Sequence, residues 1–366
     1  MKTSRRKFLY HLGLSTLALP AVSSFAESMN VNPKIKQGKL GIALAGLGAY
    51  AGGQLAPALL QTEHCYLAGA ITGTPSKIPV WKEKYNIPDQ NFYSYQDFDS
   101  IAANNDIDIV YVVLPNALHA EFVIRAAEAG KHVICEKPMA VTVEDCDRMI
   151  AACKKAGKML SIGYRLHFEP HNREMTRLAK EKTFGAVQKI SAGFAFRAQA
   201  GIWRLNKKLA GGGPLMDLGI YCLQAGCYIS GLEPVAVTAY EGPKTDTKRF
   251  AEVEQSIHWK FEMPGGMLAE GSTSYNDSMN FVHAEAENGW FKLQPAFNYS
   301  DLRGETVAGK MELPQVNQQA KQMDDFALAI KNNRPTPVPG EMGKRDVKLI
   351  QAIYEAARSG KRIELK

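Results

Sequence analysis

This sequence lacks several features that would assign a function at once. After the first 26 residues it has no apolar run near the roughly 18 residues that a transmembrane helix needs, so no membrane span is predicted. It has no clustered face of lysine and arginine, which argues against nucleic-acid binding. None of its cysteine pairs has a zinc-site spacing, so no metal is predicted. It has no internal repeat and no low-complexity segment, and its 45% hydrophobic content is typical of a globular protein with a proper core.

The six cysteines are predicted to be free and mostly buried thiols. An even number of cysteines in an exported protein favours a disulfide framework, but the spacings do not. Cys146 and Cys153 are separated by about 10 Å along the axis of a predicted helix, which exceeds the reach of a disulfide. Cys222 and Cys227 occupy different faces of another predicted helix, and Cys135 ends a predicted buried strand.

The N-terminus carries an export signal. Residues 4–9 (SRRKFL) contain the paired arginines of a twin-arginine signal. The apolar stretch at 11–26 is too short to span a membrane and ends in small residues typical of a cleavage site. We therefore expect residues 1–26 to be removed after the twin-arginine machinery has exported the folded protein to the periplasm, with no stable membrane association afterwards. The alternatives are an uncleaved anchor or a fortuitously apolar N-terminus.

The signal also accounts for much of the positive charge. The formal net charge is +7, of which Lys2, Arg5, Arg6 and Lys7 contribute four, so the remaining chain carries about +3. So small a surplus is ordinary surface charge and gives no support for a nucleic-acid partner.

The first half of the chain alternates apolar strands with helices, and 366 residues are enough for two domains. The strand-like runs are at residues 39–45, 66–72, 109–114, 132–135 and 159–163. Helical periodicity follows at 53–60, 117–129 and 143–156. This alternation predicts an α/β Rossmann domain, a doubly wound parallel sheet, over residues 39–163, with a short N-terminal arm at 27–38.

From residue 164 onward, strands follow one another in close succession. They are expected at 187–196, 235–240, 254–261, 267–275, 281–286 and 290–293. Helices are expected at 214–229, 318–332 and 341–358. The pattern predicts an α+β domain over 164–366 with an open, largely antiparallel sheet, whose two C-terminal helices pack back on the Rossmann domain.

The first strand is followed by a dinucleotide-binding fingerprint. Gly46 permits a tight turn, and Gly48 lets the backbone approach a pyrophosphate, which Ala49, Tyr50 and the N-terminus of the following helix would bind. Ala51 is small enough for the third position of the fingerprint. The alternative is an ordinary glycine-rich turn.

The residues after the second strand favour NADP over NAD. An NAD site places an acidic residue there to bind the ribose hydroxyls, and none is present. The segment instead offers hydroxyl groups and one cation that suit a 2′-phosphate, with the candidate residues Thr72, Gly73, Thr74, Ser76 and Lys77. The alternative is a surface turn without a ligand.

Three residues are predicted to perform the chemistry: Lys137, Asp217 and Tyr221. Lys137 follows a strand at the carboxyl edge of the sheet, and Asp217 and Tyr221 stand at i and i+4 of one helix. Oxidising a sugar hydroxyl needs a base for its proton. A phenol, with a pKa near 10, serves as a base at neutral pH when a cation favours the phenolate. Tyr221 would be the general acid/base, Lys137 its tuning cation, and Asp217 a sugar-binding and orienting group.

Each of these residues also has a structural alternative. Lys137 and the proline after it are compatible with a surface turn. Asp217 is placed where it could support the first turn of its helix, and Tyr221 where it could pack in the core.

In these motifs the chain resembles the glucose–fructose oxidoreductase (Gfo/Idh/MocA) family, from about Lys39 to the C-terminus. Further matching segments are LPNALHAEF at 114–122, GYR at 163–165, WRL at 203–205, LAGGG at 209–213 and LIQAIYEAAR at 349–358. Many members of the family carry histidine where this sequence has Tyr221, and tyrosine points to the sugar oxidoreductase branch.

The resemblance implies cofactor or substrate contacts beyond the glycine loop. They fall on Leu114, Pro115, Asn116, His119, Glu136, Arg165, Trp203 and Arg204. For all of these except Leu114 and Pro115, a structural role is the alternative. The resemblance also implies a homodimer or homotetramer built through the open sheet. About a dozen residues separate the cleavage site from Lys39, which is shorter than the cofactor-locking arm of the founding enzyme.

The expected activity is hydride transfer between an aldose and a tightly bound NADP, with a second sugar as acceptor in a ping-pong cycle. Soluble NADP is not expected to be replenished outside the inner membrane, so an exported enzyme should carry its cofactor. The alternatives are an aldose dehydrogenase with exchangeable cofactor, a redox-neutral NAD-dependent glycosidase, and a non-catalytic binding protein.

Overall fold

The computed structural model describes residues 38–365 of the chain. The twin-arginine segment, the expected cleavage site and residues 27–37 of the expected arm lie outside the described residues, as does Lys366.

Six strands form the first sheet: β1 (Leu40–Ala45), β2 (Cys65–Ile71), β3 (Phe92–Tyr93), β4 (Ile109–Val112), β5 (His132–Cys135) and β6 (Leu160–Ile162). They lie in the order β3-β2-β1-β4-β5-β6, and every neighbouring pair is parallel. This confirms the predicted doubly wound sheet. The strand order reverses between β1 and β4, so a ligand crevice is expected at the carboxyl ends of these two strands.

Helices connect these strands: α1 (Ala56–Leu59), which continues a π-helical turn at Ala51–Leu55, α2 (Ile78–Tyr85), α3 (His119–Glu128) and α4 (Val143–Lys155). Local sequence explains α4 well. The Thr142 side chain caps its N-terminus by accepting a hydrogen bond from the Asp145 N–H at 3.1 Å. Its apolar residues Cys146, Met149 and Cys153 recur at helical spacing, and all three are buried.

Nine strands form the second sheet: β7 (Val187–Ala195), β8 (Ala236–Glu241), β9 (Ser256–Glu262), β10 (Leu268–Ser274), β11 (Met279–Ala286), β12 (Gly289–Leu293), β13 (Gly304–Thr306), β14 (Gly309–Met311) and β15 (Ile363–Glu364). Their order is β14-β13-β12-β11-β7-β10-β9-β8-β15. Neighbours pair antiparallel except β7 and β10. The predicted open, largely antiparallel sheet is confirmed.

The helices of this half are α5 (Pro170–Lys180), α6 (Lys207–Ala210), α7 (Ile220–Ser230), which continues a π-helical turn at Leu215–Gly219, α8 (Gln318–Lys331) and α9 (Gly340–Ser359). Helix α8 packs on the first sheet, where the Asp324 carboxylate accepts hydrogen bonds from the Glu63 and His64 N–H groups. Helix α9 lies between α4 and β8. One hydrophobic cluster contains buried residues of both sheets, such as Val133 of β5 and Val237 of β8.

All six cysteines are free and buried, which confirms the thiol prediction. None of the helices within residues 38–365 is both long and apolar enough to cross a membrane.

Candidate active site

A cavity of about 1700 Å³ opens at the carboxyl ends of β1 and β4. Its wall is formed by the turns that follow β1, β4 and β5, by the π-helical turn before α7, and by the loops after β7 and β12. The predicted site residues that line it are Gly46, Gly48, Ala49, Tyr50, Thr72, Thr74, Lys77, Leu114, Pro115, Asn116, Glu136, Lys137, Arg165, Trp203, Arg204, Asp217 and Tyr221. Gly73, Ser76 and His119 lie outside its wall.

The turn after β1 has the conformation that a dinucleotide loop needs. Gly46 has a φ of +105°, and a Cβ atom there would lie 2.4 Å from the Val113 carbonyl oxygen. Any larger residue would be strained at this position. A Cβ atom on the exposed Gly48 would meet nothing within 4 Å, so the loop leaves open space in front of the start of the next helix. The loop therefore fits a pyrophosphate.

The end of β2 lies beside this loop. The Lys77 ammonium group donates a hydrogen bond to the Leu47 carbonyl oxygen at 2.9 Å, and Thr72 Oγ1 accepts one from the Thr74 N–H at 3.1 Å. Burial lowers the pKa of Lys77 from its usual value. Lys77 thus joins the two segments that would hold the adenosine half of a cofactor, whereas Ser76 is exposed outside the wall.

Lys137, Asp217 and Tyr221 come together, as predicted. Lys137 Nζ lies 3.2 Å from Asp217 Oδ1, donates to the Asp217 carbonyl oxygen at 2.7 Å, and lies 4.7 Å from the centre of the Tyr221 ring. Burial lowers the pKa of Lys137, but Tyr221, Asp217 and Glu136 outweigh it and raise that pKa above its usual value. The lysine is therefore a permanent cation beside the tyrosine.

Asp217 is the electrostatic centre of this cluster. Its Oδ2 atom forms an ion pair with Arg204 Nε at 2.8 Å and accepts a hydrogen bond from the Tyr275 hydroxyl at 3.1 Å. Burial raises the pKa of Asp217, yet the charges of Arg204 and Lys137 and the hydrogen bonds from Lys137 and Tyr275 prevail and bring it to about 2. Asp217 therefore holds cations in place and remains ionised, so it is not a proton carrier at neutral pH.

The helix that carries these residues differs from the expected one. Asp217 lies in the π-helical turn Leu215–Gly219, and the α-helix begins only at Ile220. The i, i+4 spacing nevertheless brings Asp217 and Tyr221 to the same lysine. Such π-helical turns are frequent at functional sites.

Glu136 and Arg165 are buried residues of the cavity wall. The Tyr111 hydroxyl donates to Glu136 Oε1 at 2.7 Å, and burial raises the pKa of Glu136. Arg165 donates to the carbonyl oxygens of Asn298 and Phe297 at 3.0 and 2.6 Å. Its Cζ atom lies 5.2 Å from the centre of the Tyr221 ring, so Arg165 is a second cation beside that tyrosine.

For His119 and Asn116 the structure favours the structural alternative. His119 is fully buried, with Nδ1 2.9 Å from the Pro138 carbonyl oxygen and Nε2 2.8 Å from that of Leu114. It joins the turns after β4 and β5, and burial lowers its pKa. Asn116 lines the cavity, but its amide donates to the Ala210 carbonyl oxygen at 2.8 Å and so joins the two halves of the molecule.

Trp203 and Arg204 line the cavity from the loop after β7. They form a short 3₁₀ turn, in which Arg204 Cζ lies 4.8 Å from the centre of the Trp203 ring. Through its ion pair with Asp217, Arg204 links the loop after β7 to the cluster of Lys137, Asp217 and Tyr221.

Several cavity residues were not expected from the sequence: Tyr95, Phe194, Phe297, Asn298, Tyr299 and Gln319. Most of them come from strand ends and loops that carry no motif, and Gln319 lies in the first turn of α8. Gln319 is 2% exposed, and its Nε2 atom has no hydrogen-bond partner among residues 38–365. An amide donor buried without an acceptor is costly, and a bound cofactor would relieve that cost.

This architecture and this cluster define an oxidoreductase with a dinucleotide site. Comparison with known families agrees. A family described as "Oxidoreductase family, NAD-binding Rossmann fold" (Gfo/Idh/MocA) matches residues 40–164, and the Gfo/Idh/MocA C-terminal domain matches residues 172–289. The chain belongs to the Gfo/Idh/MocA oxidoreductase family, as the resemblance of its motifs predicted.

Individual relatives are similar over most of the chain. A D-xylose 1-dehydrogenase [NADP(+)] of Haloarcula marismortui is 28% identical over 88% of this chain and 92% of the relative. A D-glucoside 3-dehydrogenase of Escherichia coli is 30% identical over 70% of this chain and 79% of the relative. The crystal structure of aldose-aldose oxidoreductase from Caulobacter crescentus, complexed with glycerol, is 43% identical, covers 89% of this chain and all of that one, and has a TM-score of 0.87.

Proposed function

We propose that this protein is a periplasmic sugar oxidoreductase that oxidises an aldose and reduces a second sugar in a ping-pong cycle, using a tightly bound NADP. The observation that carries the proposal is the buried cluster in which Lys137 contacts both Asp217 and Tyr221 in the wall of the crevice. The names of the similar proteins, which concern xylose, glucosides and aldoses, support a sugar as the substrate.

The residues present fit NADP. The turn at Gly46 and Gly48 would hold its pyrophosphate, and Thr72 and Lys77 its 2′-phosphate. The bound nicotinamide supplies hydride transfer. A similar xylose dehydrogenase is also named for NADP.

Side chains of the protein transfer the proton that accompanies the hydride. Tyr221 accepts the proton of the aldose hydroxyl and returns a proton to the second sugar. Lys137 and Arg165 lie 4.7 and 5.2 Å from the centre of the Tyr221 ring, and these cation–π contacts hold the ring in place. Asp217 stays ionised and holds Lys137 and Arg204 in position.

Two features support retention of the cofactor and export. The twin-arginine segment is of the type that exports folded proteins. An enzyme outside the inner membrane has no expected supply of soluble NADP, so the cofactor must be regenerated where it is bound. The second sugar of the ping-pong cycle would perform that regeneration.

We further propose a homodimer or homotetramer built through the open face of the second sheet. On that face Tyr240 is 62% exposed and stacks on His258 with 4.9 Å between ring centres. Aromatic residues that are exposed in a single chain are enriched at interfaces between subunits. The mass of the protein in solution tests the assembly.

The decisive experiment is an absorbance spectrum of the purified, dialysed protein, recorded before and after an aldose is added without nucleotide. We expect a new band of reduced nicotinamide that a second sugar or a lactone removes. A protein that carries no nucleotide and acts only when NAD(P) is supplied would instead be an ordinary dehydrogenase with exchangeable cofactor.

The NADP assignment makes a separate prediction at Lys77. Replacing Lys77 with methionine should weaken NADPH binding about 10- to 150-fold and leave NADH binding nearly unchanged, because a charged hydrogen bond contributes about 1.5–3 kcal/mol. Dissociation constants from nucleotide fluorescence measure both effects. Lys82→Met is the matched control, since Lys82 lies on helix α2, which begins directly after Lys77, and pairs with Asp89 at the surface. Equal weakening of both nucleotides would show that Lys77 only supports the loop at Leu47.

A further inference from the structure

A buried carboxylate lies directly beneath the glycine turn that precedes the catalytic residues. Glu254 is 5% exposed and precedes β9. Its Oε2 atom accepts a hydrogen bond from the Gly213 N–H at 2.9 Å, and its Oε1 atom accepts one from the Leu215 N–H at 3.1 Å. The Tyr354 hydroxyl donates to the same Oε1 atom at 2.7 Å. The carboxylate therefore ties this turn to helix α9.

These bonds replace a cap that the helix does not supply for itself. The first N–H groups of a helix have no partner within it, and Pro214, at the capping position, makes no side-chain cap. Glu254, which lies just before β9, binds the first of these N–H groups, that of Leu215, together with the N–H of Gly213 before the helix. It also puts negative charge at the helix N-terminus, where such charge is favourable.

The turn needs glycine because it passes very close to Glu254 and Tyr354. A Cβ atom on Gly213 would lie 2.6 Å from the Glu254 carbonyl oxygen, and one on Gly212 would lie 2.1 Å from the Tyr354 hydroxyl. The sequence GGG therefore allows the turn to approach Glu254 and Tyr354 closely. Its first glycine, Gly211, has a φ of +81° and ends α6.

We propose that Glu254, supported by Tyr354, is a positioning residue that sets the location of Asp217 and Tyr221 relative to Lys137. Leu215, which Glu254 holds, begins the π-helical turn that contains Asp217. The Asp217 carbonyl oxygen is itself the 2.7 Å acceptor of Lys137 Nζ. A shift at the start of this turn therefore moves the backbone atom that orients the lysine.

The inference rests on the proposed function, because that proposal assigns Lys137, Asp217 and Tyr221 to the reacting site. It adds a residue that touches neither substrate nor cofactor, since Glu254 is not part of the cavity wall. Its effect should therefore fall on the rate of the chemical step and not on nucleotide binding.

The test is Glu254→Gln. A carboxylate accepts all three hydrogen bonds, whereas an amide has one oxygen and one NH₂ group, so one N–H of the turn would face another donor. We expect kcat to fall about 10- to 100-fold, because a small displacement of catalytic groups from their working geometry lowers the rate by factors of this size. The NADPH dissociation constant should stay within about twofold of the original, and the isotope effect with C1-deuterated aldose should rise as hydride transfer becomes slower. Glu252→Gln is the matched control, because its exposed carboxylate binds the Lys207 N–H, which lies outside this turn.

Two outcomes would overturn the proposal. One is a lower melting temperature with an unchanged kcat and isotope effect in the folded, nucleotide-loaded protein. If Glu254→Gln does not fold, Tyr354→Phe decides instead: it removes one of the three bonds, and a kcat equal to that of the unsubstituted protein overturns the proposal. Full activity of Tyr221→Phe, by contrast, would refute the proposed active site itself.

Discussion

Replacing Tyr221 with phenylalanine should lower kcat by about 10²- to 10⁴-fold, the usual contribution of general acid–base catalysis. The ring remains, so its contacts with Lys137 at 4.7 Å and Arg165 at 5.2 Å are retained. Only the hydroxyl group that exchanges the proton is lost. The fold and the nucleotide affinity should therefore be preserved.

Steady-state kinetics with an aldose, together with the nucleotide content of the purified protein, measures this effect. Tyr85→Phe is the matched control, because Tyr85 lies at the end of helix α2 and outside the cavity wall. Turnover of Tyr221→Phe at the original rate would mean that another group accepts the proton and that our catalytic assignment is wrong.

Replacing Asp217 with asparagine should reduce both activity and stability. It leaves the buried Lys137 without its carboxylate partner, and breaking a buried ion pair of this kind typically costs about 3–5 kcal/mol. Denaturant unfolding measures the loss. Asp147→Asn is the surface control, since the exposed pair of Asp147 with Lys344 should contribute less than about 1 kcal/mol. A loss no larger at Asp217 than at Asp147 would contradict the role of Asp217 as a buried anchor.

The same carboxylate should contribute to the pH dependence of stability. Its pKa in the folded protein is about 2, below the ordinary value of 3.8. A depressed pKa stabilises the folded state at every pH above the ordinary value, by about 2 kcal/mol here, and that contribution is lost as the pH falls toward 2. The difference in stability between the original protein and Asp217→Asn should therefore be constant above about pH 5 and shrink below pH 4. A difference that stays constant down to pH 2 would show that the Asp217 pKa is not depressed.

Much of the fold could be predicted from periodicity alone. His132–Cys135 was placed at its exact bounds, and most of the other long strands and helices at nearly theirs, because continuous apolar runs and regular helical spacing are strong signals. The eleven-residue helix Pro170–Lys180 was missed. The missed strands, such as Phe92–Tyr93 and Ile363–Glu364, have two residues each and carry no periodicity. The short helix Ile78–Tyr85 was also missed, since a segment of eight residues with few buried positions gives a weak pattern.

The site was predictable where chemistry follows a motif. Gly46, Lys137, Asp217 and Tyr221 stand in short patterns next to recognisable strands and helices, and the structure brings them to one cavity. His119 also stood in such a pattern, but its ring lies outside that cavity between two carbonyl oxygens. A motif thus indicated which segments lie near the crevice, without indicating where each side chain points.

The sequence by itself determined the fold class, the glycine loop, the free cysteines and the three residues, Lys137, Asp217 and Tyr221, that the structure brings together in the cavity wall. Each of these depends on residues that are near one another in the chain or on a strand end whose direction is known. Only the tertiary structure decided that Tyr275 and Arg204 complete the environment of Asp217, and that Glu254 and Tyr354 anchor its helix. Those contacts join residues far apart in sequence, and they arise from packing between elements, which local patterns do not encode.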